Sequence, residues 1–362
     1  MSKNLLQRGF LCLVLCFSAT IAIADHGMQK GKSGIEQAGA LAFGPDGVLL
    51  VGDSMSASIY AFDTGDQASE ATPVNIEGIN AKIAAMVGSD TSEVTINDVA
   101  VSPVSNQIYV SASRGRGPDA TPLIFRTDAK GELSLLDLDD ISFSKVAFSS
   151  APAKDAKDRR GRPLRMNAIT DIHFDNGKVI VAGLSNEEFA SKLRVFDFPF
   201  AGGESATSIE VYHGAHGRLE TQSPVRTFIT YENTVLAAYT CTPLVTIPVE
   251  KLNGDKIMGK TVAELGNRNN PLDMIIYRKG DQDYLLMAND RRGVMKMQLD
   301  KSEMDSIDAI RSRVSGGGTA GLKYETVEEF SGVAQLAKLG DSHAVMLVVN
   351  ADNMDLKTVA LP

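Results

Sequence analysis

The 362 residues contain no tryptophan, only three cysteines and only five histidines. Each shortage excludes something. Without an indole there is none of the broadest aromatic surface for stacking on a sugar, which argues mildly against a carbohydrate stacking platform. Two of the cysteines, Cys12 and Cys16, fall within the first 24 residues, so Cys241 is the single cysteine of the remainder. One cysteine cannot form an internal disulfide. It remains a buried thiol, a metal ligand or a reactive thiol. No Cys-x-x-Cys-His stretch is present to carry the usual covalent haem, and there is no His-Glu-x-x-His, Walker loop or dinucleotide fingerprint. Gly-x-Ser-x-Gly is missing too, so an α/β-hydrolase reading has no support. Basic residues are outnumbered, 36 against 45, giving a formal net charge of −9. Such a chain repels phosphate backbones, so nucleic acid is not an expected partner.

Long apolar runs are scarce as well. The one that stands out is 10–23, preceded by Lys3 and Arg8 and followed by Ala22-Ile23-Ala24. A basic start, a short apolar stretch and a small-x-small ending describe a cleaved export signal. Ser18 and Thr20 interrupt the run, which is short for a membrane-spanning helix of about 20 apolar residues. The expectation is a signal peptide over 1–24 and one mature domain over 25–362. That domain has no membrane span and is delivered to the periplasm of a Gram-negative bacterium or beyond the cell. Bulky Leu15 before Cys16 argues against lipoprotein processing.

What the chain does have is a repeated strand pattern. Residues 37–64 read as an apolar strand, a Pro45-Asp46-Gly47 turn, a second strand, a polar turn and a third strand. Turn residues of this kind supply the backbone angles that reverse the chain. The pattern recurs at 96–128, 169–198, 226–249, 271–299 and 332–361. Six such copies predict an all-β, six-bladed β-propeller. A seventh blade would require 120–150 to form a further sheet. The last copy stops after three strands, and 27–36 is expected to supply its outer strand and close the ring. Apolar spacing predicts short helical insertions over 75–86 (Ile79, Ile83, Met86) and 302–314 (Met304, Ile307, Ile310, Val314). The basic stretch 154–165 reads as a solvated connection.

Pro45-Asp46-Gly47 and the Val51-Gly52-Asp53 strand end resemble the TolB-like and lactonase-like six-bladed propellers, the NHL and YVTN-type repeats among them. The resemblance implies a fold and no particular activity.

Propeller topology then places side chains. Connections between blades and turns between second and third strands emerge on one face. That face collects His213 and His216, in the connection before the fourth copy, and Cys241, in its second-to-third-strand turn. Imidazole and thiolate together suit copper or zinc, and three such ligands leave a position open. Glu220 and Tyr212 are candidate supporting or additional ligands. A second constellation is Asp98, Asp171 and Asp273, at equivalent places near the channel mouth. They either cap backbone N–H groups or form a calcium site. In lactonase-like propellers a calcium site of this kind polarises an ester, so the resemblance adds a calcium-dependent hydrolase to the readings. Arg226, with Arg114, Arg116, Arg291 and Arg292 nearby, is expected to pair with the aspartates or to hold an anionic ligand. Asp25-His26, at the expected new N-terminus, is a further copper chelator candidate. Three functions stay open: a metal- or ligand-binding propeller, a docking propeller for a periplasmic protein partner, and the calcium-dependent hydrolase.

Overall fold

A computed structural model describes residues 26–362, apart from Asp352. The expected signal peptide and Asp25 lie outside the described residues. Six sheets, antiparallel but for Lys256–Met258, which pairs parallel at the edge of one, are arranged as blades around a central channel. Numbered along the chain, blade 1 starts with Leu41–Phe43, Val48–Asp53 and Ser58–Asp63, and blade 2 with Val94–Val101, Ile108–Arg114, Thr121–Thr127 and Leu133–Leu135. Blade 3 comprises Asp171–Asp175, Lys178–Leu184, Ser191–Asp197 and Ser205–His213. Blade 4 comprises Val225–Tyr231, Thr234–Tyr239, Pro243–Pro248 and Lys260–Leu265. Blade 5 comprises Pro271–Lys279, Gln282–Asn289, Gly293–Leu299 and Glu325–Val327, and blade 6 comprises Val333–Leu339, His343–Asn350 and Asn353–Ala360. The second strands, such as Val48–Asp53 and Thr234–Tyr239, are buried along their whole length. A strand covered on both faces has no use for polar alternation, so these read as continuous apolar runs.

The blades do not follow chain order around the ring. Six buried clusters fill the six interfaces, and their membership gives the sequence 1-3-4-5-6-2. One cluster joins Val110 and Phe125 of blade 2 to Val345 and Leu347 of blade 6. Another joins Leu50 and Ile59 of blade 1 to Ile172 and Val181 of blade 3. The second contact is close. A Cβ on Gly52 would come within 2.8 Å of Ile169 and 3.1 Å of Ile172, so only glycine lets the two blades approach this far.

Ring closure also departs from expectation. Gln29–Gly31 does not join blade 6. It pairs with Ile141–Ala147, which is itself the fourth strand of blade 1. Blade 2 is therefore inserted between the third and fourth strands of blade 1. The outer edge of blade 6 is met instead by the segment leaving blade 1, through an Ile76–Leu356 bridge. Residues 120–150 are thereby shared between blades 1 and 2, and the ring has six blades.

The first insertion is helical as expected. Helix α1 (Ile79–Met86) buries Ile79 and Ile83 against blades 2 and 6 and leaves Met86 exposed. The second is shorter than its spacing suggests. Helix α2 (Lys301–Ser306) starts on Asp300, whose side chain accepts from Glu303 N–H, and buries Met304. Beyond it Ile310 donates to Thr261 O and Val314 to Gly214 O, so the chain runs outside a helix along blade 4. β-branched Ile307, Ile310 and Val314 favour this, since branching at Cβ costs helix propensity.

The three aspartates occupy alternate blades of the ring and make the same contacts. One oxygen of each accepts the next residue's N–H: Val99 for Asp98, Ile172 for Asp171, Met274 for Asp273, each at 2.7 Å. The other oxygen reaches the neighbouring blade, taking Leu41 N–H at 2.7 Å, Phe228 N–H at 2.8 Å and Leu336 N–H at 2.7 Å. Between them they divide the channel into an upper cavity of about 110 Å³ and a lower one of about 250 Å³. Burial is the main force on their protons. It pushes Asp98 up to about 8 and Asp171 to about 6, against the backbone hydrogen bonds. Asp273 is also raised, first by burial and then by the charges of Asp98 and Asp171.

A raised carboxyl holds a proton in the folded chain that the unfolded chain releases above its ordinary value near 3.8. Stability therefore falls as pH rises toward the folded value, by at most about 1.4 kcal/mol per pH unit for each retained proton. Burial lowers His173, which acts in the opposite direction below its usual 6.5. The aspartate effect is read above that. Urea midpoints at constant ionic strength should decline between pH 6.5 and 8.5, and the decline should be shallower in Asp98→Asn. A midpoint that rises over this range would show that the ring is not what titrates.

Candidate metal centre

The fourth strand of blade 3, Ser205–His213, extends past its own blade and turns back through Arg218–Glu220. The turn is tight. His216 and Gly217 N–H both donate to His213 O, and Gly217 takes a φ of +67°, which glycine adopts without steric cost. This turn brings the two imidazoles together, with ring centroids 3.9 Å apart. His213 is buried and His216 is exposed.

Cys241 reaches the same place from blade 4, as the topology predicts. His213, His216 and Cys241 each offer a donor atom, and these atoms all lie within 4.8 Å of one another. Cys241 and Thr242 have φ values of +64° and +58°. Two successive non-glycine residues in the left-handed region cost roughly 1–2 kcal/mol each, and such strain collects at functional sites. Surrounding hydrogen bonds hold them: Cys241 N–H to Asn269 O, Leu265 N–H to Thr242 O, and the Thr242 hydroxyl to Gly266 O at 2.6 Å.

Glu220 organises both rings. Its Oε2 lies 3.0 Å from His213 Nδ1 and its Oε1 lies 2.7 Å from His216 Nδ1. Burial works to raise its pKa, but the hydrogen bonds and charges of the two histidines outweigh that and hold it down at about 2. With both Nδ1 atoms on one carboxylate, the Nε2 atoms are left. His213 Nε2 is buried and has no hydrogen-bond partner among the described residues. A ligating histidine with its other nitrogen on a carboxylate is the common arrangement at protein metal sites. The donor set and the unpartnered nitrogen therefore fit a copper or zinc ion.

Sequence reasoning missed Glu264. It is almost fully buried in the fourth strand of blade 4 and accepts Gly214 N–H through Oε1, while its Oε2 has no partner among the described residues. Burial raises its pKa, although His213 and the N–H groups of Gly214 and Ala215 oppose this. Gly214 is required here, because a Cβ would meet the carboxylate at 2.9 Å. A glutamate in an apolar strand, fifty residues from the histidines, carries no signal in the sequence.

The remaining candidates fall elsewhere. Tyr212 alternates away from His213 and lines an outer groove with Met258 and Ile310. His26 packs against Phe198 and lies 3.4 Å from Asp46. The aspartates direct both oxygens at backbone N–H groups, and among the described residues the one compact group of three potential ligands is the histidine–cysteine set. Arg226 does not pair with the aspartates: it donates to Asn167 Oδ1 at 3.2 Å. Arg114 and Arg116 donate to Val87 O and Ser92 O, and Arg292 to Asn267 O. The aspartates spend both oxygens on backbone N–H groups, and none of them pairs with an arginine among the described residues.

No known family profile matches this chain, and no curated protein does. Solved structures with a similar chain path include a glucose dehydrogenase (TM-score 0.37, 11% identity, covering 92% of this chain and 99% of that one). Another is the PQQ-bound aldose sugar dehydrogenase from Streptomyces coelicolor (0.35, 14%, 91% and 96%). A third is Kuenenia stuttgartiensis hydrazine synthase (0.35, 11%, 91% and 97%). Similarity at this level bears on no function.

The strained turn yields a stability test. Asparagine tolerates the left-handed region better than cysteine does. Metal-free Cys241→Asn should unfold at a temperature equal to or above that of the metal-free wild type, a stabilisation of up to about 1 kcal/mol. A clear drop would mean that Cys241 is held by packing rather than kept against local preference.

Proposed function

We propose that this chain is an exported β-propeller that binds one copper or zinc ion through His213, His216 and Cys241. The observation that carries the reading is the convergence of three donor atoms from two blades within 4.8 Å, with Glu220 bonded to both imidazoles. Thiolate is a soft ligand and imidazole a borderline one, a combination that suits copper and zinc over calcium or magnesium. Three protein ligands leave a coordination position, and exposed His216 places it toward solvent on the upper face. Water or a small molecule can occupy it. The leader-like residues 1–24 and a mature chain with one cysteine support a periplasmic location, where no second thiol competes for Cys241. Among the described residues no helix is long and apolar enough to cross a membrane.

The first experiment is metal analysis by mass spectrometry of protein purified without chelators or an affinity metal. The wild type should carry near-stoichiometric copper or zinc, and His213→Ala and Cys241→Ala should carry none. Glu220→Gln should bind about 10–100-fold more weakly, as expected when a carboxylate that orients the ligands is removed. Affinity should also fall as pH is lowered, because thiolate and neutral imidazole are the ligating forms. Absence of both metals after reconstitution would falsify the reading. Calcium retained in both variants would turn attention to the aspartates.

A further inference from the structure

Beside the metal centre stands a carboxylate with no partner for one of its oxygens. Glu264 is only 1% exposed, and its Oε2 is buried without a hydrogen bond among the described residues. The ion pairs of this corner go to Glu220 instead, from His213, His216 and Arg218. A buried carboxylate oxygen with neither a donor nor a cation is costly, and in a native fold it calls for an explanation.

Its position is fixed from two sides. The backbone of Glu264 lies opposite Pro243, two residues after Cys241, and the next residue, Leu265, donates to Thr242 O. The side chain crosses toward blade 3, where Oε1 accepts the N–H of Gly214, the residue after His213. Contact there is tight: a Cβ on Gly214 would lie 2.9 Å from Oε1, 3.0 Å from Cγ and 3.1 Å from Cδ. The carboxylate thus sits between the cysteine turn and the histidine turn. Of the neighbouring charges, His213 acts on it most strongly. The buried Nε2 of His213 is itself without a partner among the described residues. A single cation would satisfy both atoms.

The carboxylate is not among the donor atoms grouped within 4.8 Å, so it has to move to reach an ion held by them. The torsion about Cγ–Cδ that turns Oε2 is a broad one. An ion held about 2 Å from each ligand also draws its donors inward.

We propose that Glu264 is a fourth ligand, closing the site from its buried side through Oε2, and that it shifts the selectivity of the site from copper(I) toward zinc. This rests on the reading of His213, His216 and Cys241 as ligands and adds to it. Carboxylate oxygen is a hard donor that zinc accepts, whereas copper(I) is satisfied by thiolate and imidazole. The solvent-side position at His216 then becomes a fifth, which zinc can take up.

Competition against a chromophoric chelator tests this, with metal-stripped protein titrated with zinc and, without oxygen, with copper(I). Glu264→Gln keeps an oxygen for Gly214 N–H and removes the charged donor. It should bind zinc about tenfold more weakly than the wild type, or weaker still, and copper(I) within about twofold of it. Glu264→Asp keeps the charge but is one methylene shorter, and it should lose zinc affinity as well. Unchanged copper(I) binding and an unchanged circular dichroism spectrum show that the two turns and the other ligands are intact. The inference is overturned if either variant binds zinc as the wild type does. It is also overturned if zinc and copper(I) affinities fall together, which marks a structural role. A wild type that binds copper(I) and no zinc overturns this inference alone, whereas one that binds neither metal removes the three-ligand site beneath it.

Discussion

The carboxylate that joins one inner strand to the next is the contact on which this ring depends. Inner strands of a propeller converge on the axis, where little apolar surface is available to join one blade to its neighbour. Asp98, Asp171 and Asp273 meet that constraint by accepting an N–H from their own strand and another from the adjacent blade. Because they occupy alternate positions, the six blades behave as three clamped pairs: 2 with 1, 3 with 4, and 5 with 6. The other three interfaces lack this clamp and are bridged by single polar contacts such as Ser54 with Ile169, Tyr231 with Asp283 and Gln335 with Asn97 O, beside their apolar clusters. The same carboxylates narrow the channel and bring three acidic groups within reach of one another's fields. What holds the ring at its axis therefore also loads that axis with repulsion, and retained protons relieve it.

Much of this was legible in the sequence because the signals were local. Pro45-Asp46-Gly47 makes a turn wherever it is found, and six strand sets with turn punctuation read directly as six blades. The site was legible for a different reason. Topology alone brings the connection after blade 3 and the second turn of blade 4 to one face, so His213, His216 and Cys241 could be grouped although 28 residues separate the first from the last. What escaped was non-local. Nothing near Gln29 or Ile141 indicates that these strands pair across more than a hundred residues. Glu264 sits in a strand whose register decides what it touches. Ile310 and Val314 keep helical spacing with Ile307, yet backbone partners at Thr261 in blade 4 and Gly214 after blade 3 determine their path.

The metal centre shows how two modest features combine. One acidic residue fixes two rings, so a single side chain does for both what separate supporting residues do in other sites. The cysteine turn contributes rigidity of another sort, since its unusual backbone angles are sustained by three hydrogen bonds to the single stretch 265–269. The two meet at the junction of blades 3 and 4, an interface that also carries an aspartate clamp. The chemistry is therefore built at one of the three clamped junctions of the ring.

The insertion of blade 2 within blade 1 has a consequence for how the chain is made. As the polypeptide emerges from its N-terminus, the first sheet stays unfinished until residue 147 arrives, and the last sheet finds its edge partner near residue 76. Early and late segments are woven through one another instead of being laid down in series. No blade at either end can peel away like the end of a string of beads, and partial products of synthesis carry raw sheet edges. A chain of this design is vulnerable while incomplete, and once finished its first strand is held in blade 1 and its last in blade 6, the two blades that flank blade 2.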